Sequence, residues 1–161
     1  MTSLTVQVER NDKLAEFSAI FAELGQAHMT IAVNLVQGAV QRNSPVNTGA
    51  YRSGISNSVQ LGELTITGSV FSQDDPIKVA VIEEGRRPGR FPPVGVITRW
   101  VQLVIRPPAN KLRQVAYLVG RAIAERGIAG KHVFQRSFTE TEPEVQRILG
   151  DEFPAALAKR L

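Results

Sequence analysis

An α+β fold is predicted: a long N-terminal helix packed on a small antiparallel sheet of about three to four strands, followed by C-terminal helices. Three observations predict it. From Asp12 the residues Leu14, Phe17, Phe21, Leu24, His28, Ile31 and Leu35 recur at alternating steps of three and four, which is the stripe of an amphipathic helix. After Ile55 the period drops to two, and beyond Pro93 the helical period returns. At 161 residues the chain is long enough to bury a core as a single domain, residues 1–161, and it contains no cysteine to staple one.

The first helix is expected over residues 12–42, roughly 46 Å long at 1.5 Å per residue. Asn11 or Asp12 can cap it, Gly25 can bend it, and Asn43-Ser44-Pro45 stops it, because the residue before a proline is pushed out of the helical region. His28 lies on the apolar stripe with no second titratable group at ligand spacing, which reads as a packed histidine. The stretch SPVNTGAYRSGI at 44–55 is then a corner. Thr48 can cap one short helical turn through Arg52, and Gly54 releases the chain.

Strands are expected from alternation at Ile55, Val59 and Leu61, then at Leu64, Ile66 and Val70, with a turn at Gly62-Glu63. Asp74-Asp75-Pro76 reads as a second turn, and the apolar run Ile77–Ile82 as a third strand covered on both faces. Residues 85–95 hold three glycines, three prolines and three arginines, so an extended basic loop follows. Pro93 can open a helix to about Ile105 with Ile97, Trp100, Val101 and Val104 on one face, although the β-branched run also fits a strand. Leu112, Val115, Val119 and Ile123 form the next amphipathic helix, begun at Asn110 and ended near Gly127. Thr141 and Glu144 have capping-box spacing for a short helix ending at Gly150, and residues 151–161 fit a terminal helix or a flexible tail.

Charge divides the chain more sharply than periodicity does. Residues 1–85 carry 5 basic and 9 acidic groups, residues 86–136 carry 11 and 1, and residues 137–161 carry 3 and 5. The middle block therefore has a net charge of +10, and arginine outnumbers lysine 14 to 5 over the chain. Such a block points to polyanion or an acidic partner. Arg86, Arg87, Arg90, Arg99 and Arg106 are the candidate contacts with a partner or with DNA. Phe91 and Trp100 are the main aromatic residues there, too few for base readout, so any DNA contact would be to phosphate and independent of sequence.

No enzyme is expected. GIAGKH at 127–132 has two residues between its glycines where a P-loop needs four, and His132 stands where Ser or Thr would hold magnesium. Two separated histidines and no cysteine supply no triad or metal framework, and no cofactor is implied. The N-terminus lacks a basic stretch followed by an apolar core, and no uninterrupted 18-residue apolar run occurs. Neither a signal peptide nor a membrane association is expected.

Read together, the corner Pro45-Val46-Asn47-Thr48-Gly49 with Arg52 and Ile55 after it, the segment Val81-Ile82-Glu83-Glu84-Gly85 leading to an Arg/Pro loop and Trp100, and the run Ala122–Ile128 through Phe134 carry a likeness. The chain resembles, over residues 12–140, the tail-component family of long-tailed bacteriophages that includes the minor tail protein Z group. Asn47 stands where aspartate is commoner in that family, and Tyr51 where leucine is usual. The resemblance implies a virion structural protein at the head–tail junction, a neck, tail-completion or tail-terminator component. It would be a homo-oligomeric ring, a hexamer being one option, that joins the tail tube protein to the head-completion or connector protein around the DNA channel. Non-specific contact with packaged DNA would follow, and the protein would reside in the host cytoplasm during assembly and in the virion afterwards. Pro45, Thr48, Gly49, Arg52, Glu83 and Glu84 would then form a structural corner in which Arg52 pairs with a glutamate. The competing class is a sequence-independent nucleic-acid-binding protein outside any virion.

Overall fold

The computed structural model describes residues 12–46, 49–62 and 64–161. The caps expected at Asn11 and Thr48, Asn47 of the corner and Glu63 of the first turn lie outside the described residues. The fold is α+β, as predicted, with helices α1 (Asp12–Asn43), α2 (Ala50–Ser53), α3 (Pro76–Glu84), α4 (Val94–Val104), α5 (Leu112–Arg126), α6 (Val133–Gln146) and α7 (Phe153–Arg160). Strands β1 (Ile55–Leu61) and β2 (Ile66–Ser72) pair as one sheet, and the two-residue strands β3 (Gly85–Arg86) and β4 (Ile128–Ala129) pair antiparallel as another. The expected single sheet of three to four strands is thus replaced by two separate pairs.

The third strand expected at Ile77–Ile82 is helix α3. Asp75 accepts hydrogen bonds from the backbone N–H of Ile77 (2.7 Å) and Lys78 (3.3 Å), with Pro76 in the first turn. That is a helix start, which the same Asp-Pro pair disguised as a turn. The short helix expected at Thr141–Gly150 is also corrected. The chain is helical without a break from Val133 to Arg160, through a π-helical stretch Arg147–Glu152 that contains Gly150. Thr141 is buried inside this run and does not cap it. Residues 153–160 take the helical alternative, so no tail separates from the fold there.

The chain forms two compact units, and neither is continuous in sequence. One comprises the described residues up to Leu35 with Asn57–Val70 and Thr141–Leu161. Its buried apolar residues are aliphatic, Ile20, Ala32, Val33 and Ile148, and among half-buried rings Phe21 meets Phe153 edge-on at 5.5 Å and His28 packs on Phe153 at 5.7 Å. Nδ1 of His28 donates to the Leu24 carbonyl at 2.7 Å, so this histidine is a packed helix residue. Gly25 marks a close approach within an unbroken helix. A Cβ there would overlap Ile66 and touch Phe153. By length and composition Ala15–Asn43 passes as a bilayer-crossing helix, and 22% of its most apolar stretch is buried inside the protein.

The other unit comprises Val36–Ser56 and Phe71–Glu140. Val40, Ile55, Val101 and Val133 are the largest of its fully buried aliphatic side chains. Ile97 and Val101 of α4 pack with Ala116 of α5, flanked by Leu112, Val115, Val119 and Ile123, so α5 packs the stripe its periodicity predicted, whereas α4 buries only Ile97 and Val101 of its expected face and leaves Trp100 and Val104 exposed. Asn43, at the end of α1, donates to Ser137 Oγ (3.0 Å) and to Glu140 (2.9 Å).

These bonds carry a pH dependence. The Asn43 amide, and then Arg42, hold the Glu140 carboxyl below its ordinary range. A depressed carboxylate contributes stability that is present above its unfolded pKa and is lost as pH falls through the folded value. Melting temperatures of wild type and Glu140→Gln should therefore differ near neutral pH and converge as pH is lowered below about 4. A gap that stays constant down to about pH 3 would show the carboxylate to be irrelevant.

Candidate functional site

The corner, and everything from Phe71 to the end of α5, lies in the second unit. The corner forms as α2, entered through Gly49 at φ 80° and closed by the Gly54 N–H on the Ala50 carbonyl at 3.0 Å. Pro45 is half-buried just after α1. Tyr51 is buried, and burial first, then the charges of Glu83 and Asp74, pushes its phenol upward.

Arg52 forms no ion pair with Glu83 or Glu84 among the described residues, and its Nε is buried without a hydrogen-bond partner. The expected pairing is not there because Glu83 is engaged elsewhere. Its two carboxylate oxygens accept the backbone N–H of Phe134 and of Gln135, each at 3.1 Å. Glu83 is thus the cap of α6, satisfying two free donors of the helix start and placing negative charge at its positive end. Glu84 is exposed at the end of α3.

The basic loop leaves this point through a tight crossing. Gly85 and Arg86 pair with Ala129 and Ile128, the Lys131 N–H donates to the Ile82 carbonyl (2.8 Å), and the His132 N–H donates to that of Glu83 (3.2 Å). Gly85 at φ 82° and Gly127 at φ 77° supply the left-handed backbone, and a Cβ on either would run into the opposite main chain. The segment GIAGKH is therefore the second half of a backbone clasp, which explains its glycines without a phosphate.

Beyond the clasp the loop stays anchored. The Gly89 N–H donates to the Ala124 carbonyl at 2.8 Å, and the guanidinium of Arg86 holds the Arg90 carbonyl. Arg86 is half-buried and structurally employed, whereas Arg87, Arg90, Arg99 and Arg106 are exposed. Arg106 stands at φ 53° just after α4 and donates from Nε to the Leu103 carbonyl at 3.0 Å. None of these five arginines has a carboxylate partner among the described residues. Glu125, the one acid between residues 86 and 136, is bound by Arg121 at 2.7 Å, which lowers its pKa.

Two features of this surface were not anticipated. Phe91 seats its ring against Gly120 of α5 and stacks on Tyr117, with centroids 5.8 Å apart. The pair lines an open groove of about 760 Å³ between α4 and α5, together with Val94, Gly95, Thr98, Arg99 and Arg113. The other feature is a second apolar stripe on α4. Ile97 and Val101 are buried, but Val96, Trp100 and Leu103, at helical spacing, are exposed by 65, 39 and 42%. The lone glycine inside α5 was the available signal for the Phe91 contact, since a glycine within a helix often marks a close approach.

No group of three or more His, Asp or Glu side chains is placed to hold a metal ion among the described residues. The chain matches no protein-family model, no curated protein and no solved structure.

Proposed function

We propose that this protein is a bacteriophage virion structural component of the head–tail junction, a neck, tail-completion or tail-terminator subunit. In this reading it forms an oligomeric ring around the DNA channel between tail tube and head connector. The corner and its companion segments supply the resemblance, and one structural observation carries the reading further. Arg87, Arg90 and Arg99 are exposed, and beside Arg99 on α4 the stripe Val96-Trp100-Leu103 is exposed too among the described residues. Contiguous exposed apolar surface beside unpaired charge is the composition of a surface that meets other proteins. The basic groups would face acidic neighbours or packaged DNA.

Arg87→Ala/Arg90→Ala/Arg99→Ala tests it. These side chains are exposed, so the melting temperature should stay within about 2 °C of wild type, while the yield of infectious particles falls. Normal yield would count against the reading.

Trp100 is the chain's single tryptophan and offers a second readout. Its emission should shift to shorter wavelength as subunits associate and return to longer wavelength on dilution to monomer. Emission independent of protein concentration and of added tail tubes would remove the α4 stripe from the interface.

The second reading, a sequence-independent nucleic-acid-binding protein, is favoured by the arginines without carboxylate partners. It requires that the monomer bind duplex DNA with a steep salt dependence and form no ring.

A further inference from the structure

The groove between α4 and α5 combines four properties. Its arginines, Arg99 on α4 and Arg113 on α5, are exposed and lack a carboxylate partner among the described residues. Its lining includes the stacked Phe91–Tyr117 pair, with Tyr117 exposed by 60%. Gly95 lies in its lining, and a Cβ built there would meet nothing within 4 Å, so the groove is open at this point. No acidic residue lines it.

We infer that this groove is the docking site for an acidic segment of a neighbouring protein that carries an aromatic side chain between carboxylates. The inference rests on the neck reading for the source of that segment, an adjoining ring component, and on the groove alone for its chemistry. Guanidinium groups on the two walls bind carboxylates with planar, directional hydrogen bonds. A planar side chain entering the space over Gly95 can stack against the exposed Tyr117 ring and cover Val94, gaining both burial and aromatic contact. Aromatic residues and arginine in a pocket are the usual anchors of protein interfaces. A nucleic-acid strand could use the same charges, but the adjoining aliphatic stripe of α4 suits a protein surface better than a sugar–phosphate backbone.

The test uses the purified full chain against a displayed library of random peptides about twelve residues long, followed by anisotropy titrations of the enriched peptides. The expected result is enrichment of Asp or Glu flanking Phe, Tyr or Trp. Affinity should fall about tenfold or more in Arg99→Ala/Arg113→Ala, and equally in Gly95→Leu, which fills the groove without removing a contact. Gly95→Leu adds a side chain in open space in the first turn of a helix, so an unchanged melting temperature is expected to accompany the loss.

Four results would overturn the inference: no enrichment, enriched peptides without acid or aromatic residues, binding indifferent to Gly95→Leu, or a labelled twelve-nucleotide oligothymidine that binds more tightly than any peptide and is lost in Tyr117→Ala. The last would make the groove a nucleic-acid site. A groove that binds no peptide leaves the ring reading standing, because that reading is tested separately by particle yield and by assembly mass.

Discussion

Gly85→Ala should be among the most destabilising single substitutions in this chain. At φ 82° an L-residue is strained, and its Cβ would collide with the Ile128 carbonyl and the backbone N of Gly130, neither of which can rotate away as a side chain would. Strain and collision together should cost about 3 kcal/mol or more, a fall in melting temperature of roughly 6–12 °C. Gly127→Ala should behave alike, since its Cβ would meet the Arg86 carbonyl. Gly89→Ala is the control. It also has positive φ, 146°, but a Cβ there meets nothing within 4 Å, so only the backbone strain, about 1 kcal/mol, should appear. If Gly85→Ala and Gly89→Ala lose the same stability, the two glycine-rich segments do not clasp.

Glu83→Ala should be the second large effect. It removes both acceptors from the Phe134 and Gln135 N–H groups and a favourable charge from the start of α6. Loss of such a cap costs about 1–2 kcal/mol. Glu83→Gln keeps one acceptor oxygen and should lose less, whereas Glu84→Ala, at an exposed position, should stay within about 0.5 kcal/mol of wild type. A double-mutant cycle between Glu83→Ala and Arg52→Ala discriminates this role from the ion pair that the sequence had led one to expect. The cap predicts a coupling near zero, and an interaction energy above about 1 kcal/mol would restore the pair.

Local patterns made α1, α4 and α5 legible as helices because each carries apolar residues at helical spacing, but they did not settle which of these face inward: Ile31 of α1 and Trp100 and Val104 of α4, all on the expected stripes, are exposed. Helix α3 was misread for a physical reason. Its sequence PIKVAVIEE is rich in β-branched residues, which favour strands on average, and none of its residues is fully buried, so no alternation or stripe betrays its state. The decisive signal was the Asp75 side chain acting as a helix cap, and Asp-Pro fits a turn equally well.

Helix α6 failed differently. Its cap is a carboxylate 51 residues earlier in the chain, beyond the reach of any local pattern, while Thr141 and Glu144 met capping-box spacing within a helix already under way. The pairing of Phe91 with Tyr117 was equally out of reach, because it depends on Gly120 of α5 admitting a ring from the loop that precedes α4. The cationic block, by contrast, needed only counting. What counting could not give is the division of labour within it: Arg86 and Arg106 bind backbone carbonyls near them, and Arg87, Arg90, Arg99 and Arg113 extend from the surface.

The central claim is that this surface exists to be covered by neighbours, and the mass of the assembled protein tests it most directly. Light scattering of the purified chain, alone and after addition of tail tubes, should give a closed multiple of the 17.6 kDa subunit, with the ring retained at the head-proximal end of the tubes. A particle of 17.6 kDa in both conditions, with tubes bare of it, would contradict the account.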